Sequence, residues 1–243
     1  MNMKNQSTFS TMPLTARFAI ALFAILGMTS ALYAVTTHMG FAPGRLFLLM
    51  AAATVCAKAK VKLYKTSTIS LLTSVVLLAV VMEGLMAALI VAVFGVAVQM
   101  VVPSKKLVLH QLVFNLGMIA MTVTATWFTH QSLASASTAN PLTTEALATL
   151  MASFVYFLGN SISVSLIIAL TKKMSLAEVW SKHFMCSAPS FLLAGLLSLG
   201  VVALISTQSI TMVAALVAAI SLSYYTSIRL MRYPAVQELG VAK

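Results

Sequence analysis

In a chain this apolar, the few polar side chains inside hydrophobic runs are where chemistry can reside. Asn115 and Asn160 each sit within a long apolar segment, and His110 and Gln111 precede Asn115 by about one helical turn. In hydrocarbon such groups must find a partner, so an intramembrane amide marks either an interhelical hydrogen bond or the polar floor of a ligand pocket. Counted from the ends of their segments at about 1.5 Å per residue, both asparagines fall near mid-depth, where they are expected to face each other. A bond of this kind contributes about 0.6 kcal/mol on average. The pocket reading makes Asn115, Asn160, His110 and Gln111 the ligand-binding residues, and the sequence leaves both readings open.

Catalysis would need more. Asp is absent, which excludes an Asp dyad, an Asp-bound metal and a phosphoaspartate. His183 and Cys186 have a spacing that suits a metal, but no second pair completes a ligand set, so no metal and no cofactor are expected. Cys56 and Cys186 lie far apart, in or beside apolar segments, and read as packing residues. No convergent nucleophile, base and orienting group stands out, and the chain is expected not to be an enzyme. Glu83, followed by Gly84, interrupts the apolar run from Ser67 to Val102. It reads as a solvated hairpin tip or as a half-buried carboxylate that responds to protons or cations.

The elements that must position these residues follow from composition. Of 243 residues, 60% are hydrophobic and only 8% charged, too few charges for an ordinary soluble surface. Runs of about 20 apolar residues define spans. They cover residues 18–36, 41–57, two helices folded back at Glu83-Gly84 within 67–102, 107–128, 146–171, 188–206 and 210–225. The expected fold is all-α: a polytopic transmembrane bundle of about eight spans, with residues 1–17 and 227–243 as tails around an integral membrane domain at 18–226. Trp127 falls where an interfacial aromatic belongs, and residues 130–144 read as a polar loop. Between spans six and seven, Leu176, Val179, Trp180 and Phe184 oppose Ser175, Glu178, Ser181 and Lys182, the pattern of an amphipathic helix on the inner leaflet. Ser175 and Glu178 have the spacing of a capping box. Ala53/Ala57, Ala88/Ala92 and Ala214/Ala218 recur at the small-xxx-small spacing that permits close helix approach.

Charge orients this threading, because cytoplasmic loops carry the excess Lys and Arg. With the N-terminus inside, 14 of the 15 basic residues fall on one side and only Arg45 on the other. Both termini are therefore expected in the cytoplasm. Lys58, Lys60, Lys62 and Lys65 are expected to meet anionic lipid headgroups, and the formal charge of +11 is read as membrane contact and not as nucleic-acid binding.

Several stretches resemble a known family. Lys60-Val-Lys62-Leu-Tyr64 leading into Ser67-Thr-Ile-Ser70, then Glu83-Gly-Leu-Met-Ala-Ala88 and Val113-Phe-Asn115, are similar to the membrane-associated sensor region that precedes HD-GYP and GGDEF signalling domains in bacteria. Val155-Tyr-Phe-Leu-Gly-Asn160, Glu178-Val-Trp180 and Ala188-Pro-Ser190 extend the resemblance over about residues 45–230. It implies a bundle in the bacterial inner membrane that detects a small ligand or partner and biases a cytoplasmic output unit. This chain ends soon after the eighth span, so the output is expected from a separate cytoplasmic signalling subunit. The alternative is a substrate-binding membrane subunit of a vitamin-like transporter, against which span one lacks the Ala-x-x-x-Ala docking pair of such subunits.

Overall fold

The computed structural model describes residues 9, 12–37, 40–58, 60–64, 67–70, 72–101, 108–135, 141–185 and 188–207. Among them, eight α-helices follow one another: α1 (Leu14–Thr37), α2 (Pro43–Lys58), α3 (Leu72–Glu83), α4 (Leu85–Val101), α5 (Leu109–Ser135), α6 (Pro141–Lys172), α7 (Leu176–His183) and α8 (Ala188–Thr207). The expected eighth span, 210–225, lies outside the described residues, as do Lys65, Cys186 and Ala214/Ala218.

Helix α1 shows the packing rule of the whole bundle. Its buried positions are mostly small, namely Ala16, Ala19, Gly27, Ser30 and Ala34, whereas Leu14, Phe18, Leu22 and Ile25 are exposed. In lipid the outside of a helix is as apolar as the inside, so small residues go where backbones approach and large ones face the tails. Serine and threonine within the helices are satisfied by their own backbone, as where Thr126 Oγ1 donates to the Thr122 carbonyl at 2.8 Å.

Three helices, α1, α5 and α6, are long and apolar enough to cross a membrane, while α2, α3, α4 and the core of α8 are shorter. The 12 residues of α3 rise only about 18 Å, well short of a roughly 30 Å hydrocarbon core. The turn at Glu83-Gly84 occurs as expected: Gly84 has φ +84, a left-handed conformation that glycine adopts without strain. The two helices fold back on each other, because Leu72 at the start of α3 packs onto Gly95 of α4. Ala88 and Ala92 are fully buried on α4, as are Ala53 and Ala57 on α2, which packs against it.

Phe23 of α1 meets Phe114 edge-on with ring centroids 5.2 Å apart, and Tyr33 lies 5.5 Å from Phe128, so α1 and α5 run parallel. They cross at Gly27 and Gly117, where backbone meets backbone. Helix α6 returns antiparallel to α5, with Glu145 beside His130 and Gly159 beside Thr122.

Four local features depart from the sequence reading. The lysine-rich connection between α2 and α3 forms a two-stranded antiparallel hairpin, β1 (Lys60–Tyr64) and β2 (Ser67–Ser70), pairing Lys60 with Ser70 and Lys62 with Thr68. Its Val, Leu, Tyr, Ile and Thr residues are strand formers, a signal that the basic charge obscures. The polar segment 130–144 is largely helical: α5 continues to Ser135 and α6 starts at Pro141, a residue suited to the first helical turn. Polarity there marks where the chain leaves hydrocarbon, not where the helices end. Trp127 is buried against the α3–α4 turn, its indole nitrogen 4.0 Å from the Cβ that Gly84 lacks, so its ring packs on protein.

The fourth departure concerns α7. Ser175 is its N-cap residue but makes no side-chain capping bond, and the Glu178 carboxylate, the other half of the expected box, accepts from Lys182 Nζ at 2.8 Å. The hydrogen bond and charge of Lys182 hold the exposed Glu178 carboxyl below the usual carboxylate range. Val179 is buried, and Trp180 donates from Nε1 to Ser161 Oγ at 3.0 Å, which folds α7 back along α6. Helix α8 consequently begins beside the middle of α6, with Phe191 stacked against Phe157 at 5.2 Å.

Candidate functional site

Three elements whose ends converge build a cavity of about 280 Å3 between α1, α5 and α6 that brings polar and apolar side chains together. Helix α1 contributes Ile20, with Met12 just before it. Helix α5 contributes His110, Gln111, Phe114 and Asn115, which recur at helical spacing along one face. The last two turns of α6 supply Val164, Ile167, Ile168, Thr171 and Lys172. Met12, Ile20 and Phe114 are buried, whereas Gln111 and Lys172 are exposed, so the cavity is apolar within and polar at its mouth.

Of the four residues that the sequence singled out as ligand-binding, His110, Gln111 and Asn115 therefore line one cavity. Asn160 does not. Its neighbour Gly159 packs on Thr122, about 10 Å of helix rise beyond Asn115 toward the other end of α5. Asn115 instead donates from Nδ2 to the sulfur of Met100 on α4 at 3.4 Å, a weak bond that leaves its carbonyl oxygen uncommitted to Asn160. The His110 ring lies 5.9 Å from Phe9, and the Arg17 guanidinium sits 5.6 Å above the same Phe9 ring while its Nε donates to the Met12 carbonyl at 3.0 Å. These contacts gather positive charge beside the mouth. Lys58, Lys60 and Lys62 lie at the end of α2 and in β1, away from this cavity in the chain.

A second polar cluster lies at the opposite end of the bundle. The side chain of Glu83 is 1% exposed, and its Oε1 is 2.6 Å from Arg45 Nε. Its Oε2 accepts from the backbone N–H of Ala42 at 2.9 Å. Glu83 is thus neither a solvated tip nor a lone carboxylate. Nearby in the same direction along the helices, His130 Nε2 lies 2.9 Å from Glu145 Oε1. A carboxylate only accepts, so Nε2 carries the proton, and the buried Nδ1 has no hydrogen-bond partner. His130 and Glu145 went unremarked in the sequence because they flank a polar segment whose helical continuation was not legible. Among the described residues, each carboxylate has a basic partner, and no group of three or more His, Cys, Asp or Glu side chains converges as a metal site would require.

The MASE9 family model matches residues 39–234, about four fifths of the chain. The chain belongs to the MASE9 family. MASE9 is a family of membrane-associated sensor domains, and the matched range agrees with the stretch over which the sequence resembles a sensor region. Neither a curated protein nor a solved structure matches the chain. Helix α1 precedes the matched residues, so the cavity lies where the MASE9 domain meets the helix before it.

Proposed function

We propose that this MASE9 domain is a multi-pass, noncatalytic sensor unit of the bacterial inner membrane. It binds a small ligand between α1, α5 and α6 and passes a conformational bias to a cytoplasmic signalling partner of the HD-GYP or GGDEF kind. The observation that carries this reading is the cavity, which joins three of the four polar residues singled out from sequence to the basic end of α6. A site at helix ends suits a sensor, because a ligand that spreads or draws together α1, α5 and α6 there moves the segments that connect them to the cytoplasm. The chemistry proposed is binding alone, with no catalytic residue and no cofactor.

The threading with about eight spans and both termini in the cytoplasm is part of this proposal. The parallel course of α1 and α5, with α6 antiparallel, fits the alternation it requires. It puts the His110 to Lys172 cavity at the inner face and the Arg45–Glu83 pair at the outer face. Single cysteines at Ser135 and at Lys173 test it: an impermeant maleimide added to intact spheroplasts should label the first and spare the second. The reverse pattern overturns the threading.

The ligand reading has its own test in native mass spectrometry of the protein taken gently from its own membranes. We expect a bound small molecule, and expect it to be lost from the Asn115→Leu/Ile167→Trp variant while the Asn160→Leu variant retains it. A folded protein that carries no small molecule, or one retained by the filled pocket, would overturn the assignment of this cavity.

A further inference from the structure

The polarity of the cavity selects among small ligands. About 280 Å3 is at the low end of small-molecule pockets, roughly 300–1,000 Å3, so it admits a narrow molecule and not a bulky ring system or a nucleotide. Its inner wall is largely apolar, built by Ile20, Phe114 and Ile167, with Thr171 and the Asn115 amide, whose Nδ2 is engaged by the Met100 sulfur, as the polar groups. Its mouth offers the exposed Lys172 ammonium, with His110 and Gln111 as further polar groups. Arg17 adds charge beside it through the stacked Phe9. The mouth lies between the N-terminus of α5 and the C-terminus of α6, whose dipole ends oppose each other, so its preference for an anion rests on the side chains. Among the described residues, no carboxylate lines the cavity.

We propose that the cavity binds an amphiphile with an anionic head and a single linear acyl chain, the chain lying between Phe114 and Ile167 and the head on Lys172. This rests on the reading of the cavity as a ligand site. The bilayer itself delivers such a molecule, because a linear amphiphile partitions with its chain in hydrocarbon and its head at the depth of the basic residues. Chain burial supplies most of the affinity, and the charge-assisted contact to Lys172 distinguishes an anion from a neutral chain of equal length. The same chemistry has two sources, a free fatty acid or one chain of an anionic phospholipid.

The test uses the full-length protein in phosphatidylcholine nanodiscs with a mid-chain diazirine on palmitic acid in one arm and on one chain of phosphatidylglycerol in the other. After irradiation, peptide mass spectrometry should place cross-links on the segments around Phe114 and Ile167. Labelling should saturate in at least one arm, which names the source. Unlabelled palmitate should compete at least about tenfold better than hexadecanol, the difference that one charge-assisted contact makes. Lys172→Gln should remove that preference, and Ile167→Trp should abolish labelling in the cavity. Ile162→Trp, on an exposed position of the same helix, should leave it unchanged and controls for the bilayer environment.

Cross-links scattered over the exposed helix faces, or equal competition by hexadecanol, overturn the proposal, and the wild-type map alone decides this even if a variant fails to fold. A head-bearing molecule without an acyl chain, found by native mass spectrometry and lost from the filled cavity, would overturn the acyl ligand while leaving the sensor reading intact.

Discussion

Replacing Arg45 by Leu should destabilise the folded domain by about 3–5 kcal/mol, because it strands the Glu83 carboxylate without its counter-ion in a buried site. The asymmetry of the pair is what makes the effect large. Arg45 is 57% exposed on its side chain and Glu83 only 1%, so the arginine itself is readily solvated and the carboxylate is not. The backbone N–H of Ala42 remains as one donor to Oε2, which compensates a fraction of the charge. Glu83→Gln should cost much less, since its amide oxygen still accepts from Ala42 and no charge is left behind. The double variant Arg45→Leu/Glu83→Gln should recover most of the loss, because no uncompensated charge is then left in the buried site. Reversible unfolding in mixed detergent micelles measures the cycle, and additivity of the two single variants would disprove the coupling.

Gly117→Ala should lower stability by about 2–3 kcal/mol, the upper part of the range for overpacking. Helix propensity alone makes the opposite prediction, a gain of about 1 kcal/mol for Gly to Ala in a helix interior. Packing decides the sign. A Cβ at Gly117 would run into the Phe23 carbonyl and the Ala24 Cα, and one at Gly27 would lie 2.9 Å from the Gly117 carbonyl oxygen. Both obstacles are backbone, so no rotamer change relieves them and α1 must move away from α5. Gly44→Ala, where the new methyl meets nothing within 4 Å, serves as the control and should be neutral or stabilising. Because α1 and α5 form two walls of the cavity, Gly117→Ala should also weaken any ligand retained there. Unchanged stability in the same unfolding measurement would mean that the two helices are not locked at this crossing.

Much of the fold was legible because bilayer physics writes itself into composition. Long apolar runs marked α1, α5 and α6, and the alternation of basic segments predicted helix directions that agree with the parallel course of α1 and α5. Glu83-Gly84 marked the α3–α4 turn, since a single flexible, polar point in an unbroken apolar run leaves the chain only one place to reverse. The amphipathic pattern of 174–185 marked α7. Helix ends were less legible, because hydropathy reports depth and not backbone conformation: α5 and α6 reach into a segment whose Ser, Thr and His read as a loop. The β1–β2 hairpin was hidden in the same way by its lysines.

The candidate site was legible by residue type and not by assembly. His110, Gln111 and Asn115 stand out because polar groups are costly in hydrocarbon, and their spacing on one helix puts them on one face without further information. Asn160 stands out for the same reason, yet its place on the opposing helix depends on the register between α5 and α6. That register is fixed by Gly159 against Thr122 and by Glu145 beside His130, contacts between residues far apart in the chain.

The sequence by itself determined that this protein is a helical, membrane-associated chain, the relative directions of its long helices, and which polar residues must be accounted for, since each of these follows from the local cost of polarity and charge in hydrocarbon. Only the tertiary structure decided which of those residues meet. It joined Arg45, the one basic residue on the wrong side of the charge count, to Glu83, and it closed α1 onto α5 through two glycines. It also gathered His110, Gln111 and Asn115 into a cavity ending at Lys172. The physical reason is that partner choice is a matter of register and crossing angle, set by long-range packing that no local pattern encodes.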